Sequence, residues 1–182
     1  KENSLFKDGK QDLIDKKDYV AKLLAAKNAR KNSDFLIIGR TESLIAGLGV
    51  DEAVERADAY EKAGADIIFI HSRKDTPNEI FEFCKLRTGK IPVMIVPTAY
   101  PTVTLDELKS HGIGMVAYAH QTTLAAYAAI SEAVEQLSKT KSLSDLNVKL
   151  ASMEDVFKLQ GMHKIKNHES FIEEEVKKLD IN

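Results

Sequence analysis

Apolar and polar positions along this chain follow two alternating periods. Residues 35–39 and 67–70 are short, nearly continuous apolar runs, the pattern of strands buried on both faces of a parallel sheet. Between them Ala53, Ala57, Tyr60 and Ala63 recur at helical spacing, a stripe of mostly small residues that lets a helix approach a sheet closely. Asp51 and Glu52 open that helix where negative charge suits the dipole, Gly64 supplies a left-handed stop, and residues 41–50 form the loop before it. Each apolar run ends at a polar residue, Arg40 after the first and His71 after the second. Both side chains are therefore predicted at the carboxyl edge of neighbouring parallel strands, where α/β sheets and barrels place their ligands.

The same βα unit recurs to either side. Val20, Leu23, Leu24 and Ala26 mark an amphipathic helix over residues 18–32, with Asp18 as its N-cap. Residues 77–87 form a helix with proline in its first turn, and 91–96 a strand running into Pro97 and Thr98. A short helix over 104–110, closed by His111 and Gly112, precedes a fourth strand at 115–118 and a long alanine-rich helix at 122–138. After a polar linker, Ser152 caps a helix carrying Met153, Val156, Phe157 and Leu159, and 169–179 is a last helix with acids first and lysines near its end. Strand–helix alternation implies right-handed crossovers and a parallel sheet, either open and doubly wound or closed into a barrel. Four strands are too few to close a barrel, and a complete (β/α)₈ barrel typically needs about 250 residues. The chain fits the second half of such a barrel within a single domain, barrel units over 18–138 and a helical tail over 142–182. Its start, KENSL, has neither a methionine nor an element to cover the first strand, so the other half is expected before Lys1.

Composition narrows the partners. A chain of 182 residues, 43% hydrophobic and 30% charged, is long enough for one full core. Its net charge of −2, with acids and bases interspersed, offers no basic footprint for nucleic acid and no polybasic patch for a membrane. Neither a long apolar span nor a signal-peptide pattern occurs, which points to a cytoplasmic protein whose partners are small molecules or other subunits. Cys84, the single cysteine, falls in a helical pattern beside Phe83 and Leu86 and is assigned to packing.

Arg40 carries a planar donor fork suited to carboxylate or phosphate, and its spacing equally allows a salt bridge to Glu42. His71 suits donation to a developing phosphoryl or carboxylate charge. Thr98 and Gln121 are expected at the ends of the next two strands as neutral hydrogen-bonding groups. His111, His120, His163 and His168 lack the spacing and acidic company of a metal site and are assigned structural or solvated roles. The phosphate-loop, dinucleotide and nucleophile-elbow motifs do not occur.

Several stretches taken together, KENSL, DFLIIGRTESLIAGLGVDEAVERADAYEKAGAD, IFIHSRK, MIVPTAY and SMEDVFKLQ, resemble the phosphoenolpyruvate mutase branch of the isocitrate lyase superfamily over nearly the whole chain. Lyases of that superfamily carry a K-x-C-G-H loop and a glutamate at the end of the next strand. Here the loop reads Lys1-Glu2-Asn3-Ser4 and the strand ends at His71, which disfavours carbon–carbon cleavage. The mutase marker is E-D-K, five residues, then N-S, on a loop that closes over the site, and Lys1, Asn3 and Ser4 match its tail. The resemblance implies a β/α barrel, usually a tetramer that swaps its last barrel helix between subunits, interconverting phosphoenolpyruvate and phosphonopyruvate with Mg²⁺. It implies that Arg40, His71 and Asn3 hold the phosphoryl group and that Lys1 and Ser4 help close the loop. The metal-holding acids and the catalytic aspartate are expected upstream, so the chain alone is expected to be inactive. Phosphonopyruvate hydrolase is the nearest enzymatic alternative, and a non-catalytic barrel fragment or assembly subunit the alternative of another class.

Overall fold

A computed structural model of the chain describes residues 12–179. Those residues divide into two compact units, one running to Thr123 and the other starting at Leu124. The first unit contains α1 (Lys16–Ala29), β1 (Ile38–Thr41), α2 (Gly49–Lys62), β2 (Ile67–Ile70), α3 (Asn78–Leu86), β3 (Val93–Ile95), a 3-10 turn (Pro97–Ala99), α4 (Leu105–Ser110) and β4 (Ile113–Val116). The four strands lie in the order β1-β2-β3-β4, every neighbouring pair parallel. This is the α/β architecture with a parallel sheet that the alternation predicts.

Local chemistry explains most of the boundaries. The predicted stripe of α2 is buried throughout, with Ala53 and Ala57 at 0% exposure. A Cβ on Gly39 would meet Tyr60 and Ala65 Cβ atoms at 3.2 and 3.1 Å, so β1 approaches α2 as closely as a glycine allows. Gly64 ends α2 at φ 97°, the left-handed stop expected of it. Ile68, Ile70 and Ile95 join Ala53, Ala57, Tyr60, Ile80, Phe83 and Leu108 in one buried cluster. Burying such a cluster supplies the main drive for folding, at about 25 cal/mol per Å² of apolar surface.

Five expectations are corrected. Asp15, not Asp18, caps α1, its carboxylate accepting from the Lys17 N–H at 2.7 Å, and Asp18 falls in the first turn. The first strand is Ile38–Thr41 rather than 35–39, because Phe35 and Leu36 are exposed outside the ladder and pairing with β2 begins at Ile38. Nor is that strand buried on both faces: Ile38 and Arg40 are exposed, Gly39 and Thr41 buried. The fourth strand is Ile113–Val116 rather than 115–118; Ile113 pairs directly with Val93, and a register shift there puts Met115 opposite Met94.

The second unit is helical. It holds nearly all of α5 (Gln121–Thr140), with α6 (Met153–Gln160) and α7 (Met162–Lys178). Ser152 caps α6 in a reciprocal box with Asp155. The fifth correction lies here: α7 starts at Met162, not 169, because Gly161 in the left-handed conformation ends α6 while its carbonyl accepts from the Lys164 and Ile165 N–H groups at 3.0 and 3.2 Å. No helix among the described residues is long and apolar enough to cross a membrane.

Candidate active site

Two consecutive strands position the central residues. Arg40 sits inside β1, in register with Phe69 of β2, rather than beyond the strand end as its sequence position suggested. Its guanidinium carbon lies 4.6 Å from the centre of the Phe69 ring, and its backbone N–H donates to the Tyr19 hydroxyl at 3.1 Å. Nη2 is ion-paired with Oε1 of Glu42, whose side chain is only 3% exposed against 42% for the arginine. The salt bridge that spacing allowed is therefore present. It gives one oxygen of a buried carboxylate a cationic partner while leaving part of the donor fork open to solvent.

His71 follows the last ladder residue of β2 and is 6% exposed. Its ring centre is 6.5 Å from that of Phe69, and its buried Nδ1 has no hydrogen-bond partner. Burial first, and then the charge of Arg40, holds the imidazole below its ordinary pKa, with Arg73 and His120 acting the same way and Glu42 opposing them. At neutral pH the ring is thus uncharged, with one nitrogen donating and the other accepting. Arg40 and His71 belong to one corner of the sheet, as expected. His120, assigned no such role from its spacing, acts on the same ring.

Thr98 and Gln121 are placed differently from the expectation. Thr98 lies in the 3-10 turn beyond β3, its Oγ1 buried without a partner. Gln121 is not at a strand end; it is the first residue of α5, and its side-chain Oε1 accepts from the His120 N–H at 3.2 Å. His111 stacks on Phe81 with ring centres 3.7 Å apart, and His163 bonds to Glu154 at 2.9 Å. Burial pushes the Cys84 thiol up to about 11, so it is protonated at neutral pH and suits the packing role. Lys1, Asn3 and Ser4 lie outside the described residues. A cleft of about 210 Å³ takes in Arg40, Glu42, Tyr19, Lys22 and Arg56 but not His71, so it is not by itself the corner where the two meet. Among the described residues no group of three or more His, Cys, Asp or Glu side chains is arranged to hold a metal ion.

Sequence reasoning missed three contributors: the Tyr19 hydroxyl that holds the Arg40 backbone, Arg73, and the Ser72–Glu79 hydrogen bond behind His71. Only the HSRK run after the strand hinted at the last two.

These features define an α/β protein whose charged and imidazole groups gather at the carboxyl ends of sequential parallel strands. Residues 2–138 match the phosphoenolpyruvate phosphomutase family. The chain is 41% identical over 162 residues to a phosphonopyruvate hydrolase of Variovorax sp. (strain Pal2), covering 88% of this chain and 56% of that protein. To a phosphoenolpyruvate phosphomutase of Tetrahymena pyriformis it is 40% identical over 166 residues, covering 91% and 55%. Its fold matches the crystal structure of a phosphoenolpyruvate phosphomutase from Streptomyces platensis subsp. rosaceus with a TM-score of 0.89, at 35% identity over 93% of this chain and 59% of that one. It matches a phosphonopyruvate hydrolase solved with oxalate and Mg²⁺ with a TM-score of 0.84, at 38% identity over 91% and 59%. The chain belongs to the phosphoenolpyruvate phosphomutase family, within the isocitrate lyase/phosphoenolpyruvate mutase superfamily. It spans a little over half the length of the curated relatives it matches.

Proposed function

We propose that the whole protein to which this chain belongs is a phosphoenolpyruvate mutase, interconverting phosphoenolpyruvate and phosphonopyruvate with Mg²⁺. The observation that carries this reading is the corner formed by Arg40 and His71, a cation with a partly open donor fork beside a buried neutral imidazole with an unpartnered nitrogen. In the forward direction the bond from the enol oxygen to phosphorus breaks, a carbon–phosphorus bond forms at the methylene carbon, and no proton is gained or lost. Such a transfer asks the protein to hold three charged phosphoryl oxygens and to keep water away. Arg40, oriented by Glu42, holds those oxygens, and His71 donates to the group in transit without adding a charge of its own. Asn3 meets the same group from the closing loop, with Lys1 and Ser4 in its closure, on the strength of the mutase-like motif. Mg²⁺ supplies charge neutralisation when bound. The resemblance puts its acidic ligands upstream of Lys1; among the described residues no group of three or more His, Cys, Asp or Glu side chains is arranged to hold it.

The fold reading is the second half of a (β/α)₈ barrel, residues 1–182 forming the C-terminal part of one barrel domain. Arg40, Phe69, Met94 and Met115 share one register layer across the four strands. Ile38 and Met115, on the face that carries this layer, are 42% and 40% exposed. Parallel sheets are ordinarily covered on both faces, so an apolar layer open on one side supports a barrel interior completed by further strands. In the assembly we propose, a homotetramer or homodimer exchanges α5. None of its 20 residues is buried, and Leu124, Tyr127, Ile130 and Val134 are all exposed. A cytoplasmic location goes with this reading.

Phosphonopyruvate hydrolysis is the second reading, favoured by a hydrolase relative as similar as the mutase relative. Phosphorus NMR of the full-length protein given phosphonopyruvate and Mg²⁺ separates the cases. Phosphoenolpyruvate as the main product is expected, with Asn3→Ala diverting part of the flux to pyruvate and phosphate because a smaller side chain admits water. Inorganic phosphate as the dominant wild-type product identifies a hydrolase, and no turnover at all identifies a non-catalytic assembly subunit.

A further inference from the structure

The turn behind His71 is held from outside the strand. Ser72 is fully buried, and its hydroxyl oxygen accepts from the Lys74 N–H at 3.0 Å. The same hydroxyl donates to Oε1 of Glu79, and Oε2 of Glu79 is ion-paired with Lys74 Nζ at 2.9 Å. Glu79 lies in the first turn of α3, where an acid ordinarily complements the helix dipole. Here both of its oxygens also face the preceding turn, and at 12% side-chain exposure it is largely shielded from water. His71 and Arg73 flank Ser72 on either side. Ser72 is bonded covalently to both, so the hold of α3 on its hydroxyl fixes where the backbone of its two neighbours sits. His71 has no partner at Nδ1 to fix its ring. Its aim therefore depends on the backbone that Ser72 anchors.

We infer that Glu79 is a positioning residue for His71, acting through the Ser72 hydroxyl and the Lys74 ammonium to hold the turn that aims the imidazole. The inference rests on the active-site reading given above and extends it to a residue that touches no substrate. A glutamate whose only role is the helix dipole would contribute to stability and leave the His71 ring unchanged.

The test uses full-length protein carrying ¹³C-labelled histidine, with the His71 signal assigned from a His71→Gln spectrum. In Glu79→Ala the loosened turn admits water, so the His71 titration midpoint moves up toward the ordinary histidine value by roughly half a unit or more. The kcat falls about tenfold while KM moves less than about threefold, as a misaimed group predicts. Glu79→Gln keeps a carbonyl that accepts from Ser72 and restores kcat to within about threefold of wild type. If Glu79→Ala does not fold, Ser72→Ala cuts the same link and is expected to move the His71 titration in the same direction. A folded Glu79→Ala or Ser72→Ala whose His71 titration superimposes on wild type overturns the inference, as does a Glu79→Gln as impaired as Glu79→Ala. If the wild-type protein turns over neither phosphonate nor enol phosphate, the active-site reading fails while the titration still judges the positioning role.

Discussion

At the amino end of the sheet charge meets charge. Arg30 pairs with Asp66 at 2.7 Å, and the same carboxylate oxygen takes the Ile37 N–H just before β1 at 2.7 Å. Arg87, its side chain 4% exposed, pairs with Glu61 at 2.6 Å and donates to the Ile91 carbonyl at 2.8 Å, while Glu61 accepts the Lys90 N–H at 2.8 Å. Atoms left over there, Arg87 Nε and Asp58 Oδ1, belong to side chains bonded through their other atoms. At the carboxyl end His71 Nδ1, Thr98 Oγ1 and Tyr100 Oη are buried with no partner. An unmet buried polar group costs about 1–3 kcal/mol, so the carboxyl end gives up stability that the amino end secures. That asymmetry is the one expected of a sheet that binds at one end and is braced at the other.

The largest effect belongs to the braced end. Arg87→Ala leaves Glu61 facing the loop without its cation, and we expect a loss of roughly 3 kcal/mol, read as a lower urea midpoint at unchanged slope. A change below about 0.5 kcal/mol would show that this clamp carries little of the fold's stability.

Arg40→Lys in the full-length protein reverses the pattern. Lysine keeps a charge beside Glu42 but loses the planar fork, so turnover is expected to fall about a hundredfold while stability changes by less than about 0.5 kcal/mol. Lower thermal stability with normal turnover of the folded fraction would make Arg40 structural and move the carboxyl end into the braced class.

Tyr100→Phe has the smallest and most diagnostic effect. Tyr100 is fully buried, and burial pushes its phenol up to about 12. Removing a hydroxyl with no partner leaves the ring packing intact and is expected to stabilise the fold by about 1 kcal/mol in a thermal melt. Destabilisation of similar size would mean that this hydroxyl is bonded in solution, and the contrast between the two ends would shrink.

Much of this was legible before any coordinates. The stripe of α2, the Gly64 stop, the Ser152 cap and the parallel order follow from periods and caps, which act over a few residues and are written locally. So was the corner: an apolar run closed by Arg40 and another closed by His71 predict a shared strand-end site. The resemblance to the mutase family added roles for Asn3, Lys1 and Ser4, which lie outside the described residues.

The sequence by itself determined the element types, their order and the two residues that meet at the sheet's carboxyl end. Only the tertiary structure decided that Arg40 lies within its strand, that Glu42 is buried beneath it, that His71 is uncharged at neutral pH, and that Glu79 grips the turn behind it. Strand register is set by the neighbouring strand, so an apolar run such as 35–39 shows that a strand is near without saying where pairing starts. A side chain's charge state and its partners depend on desolvation and on groups brought close by folding, and no local pattern records those distances.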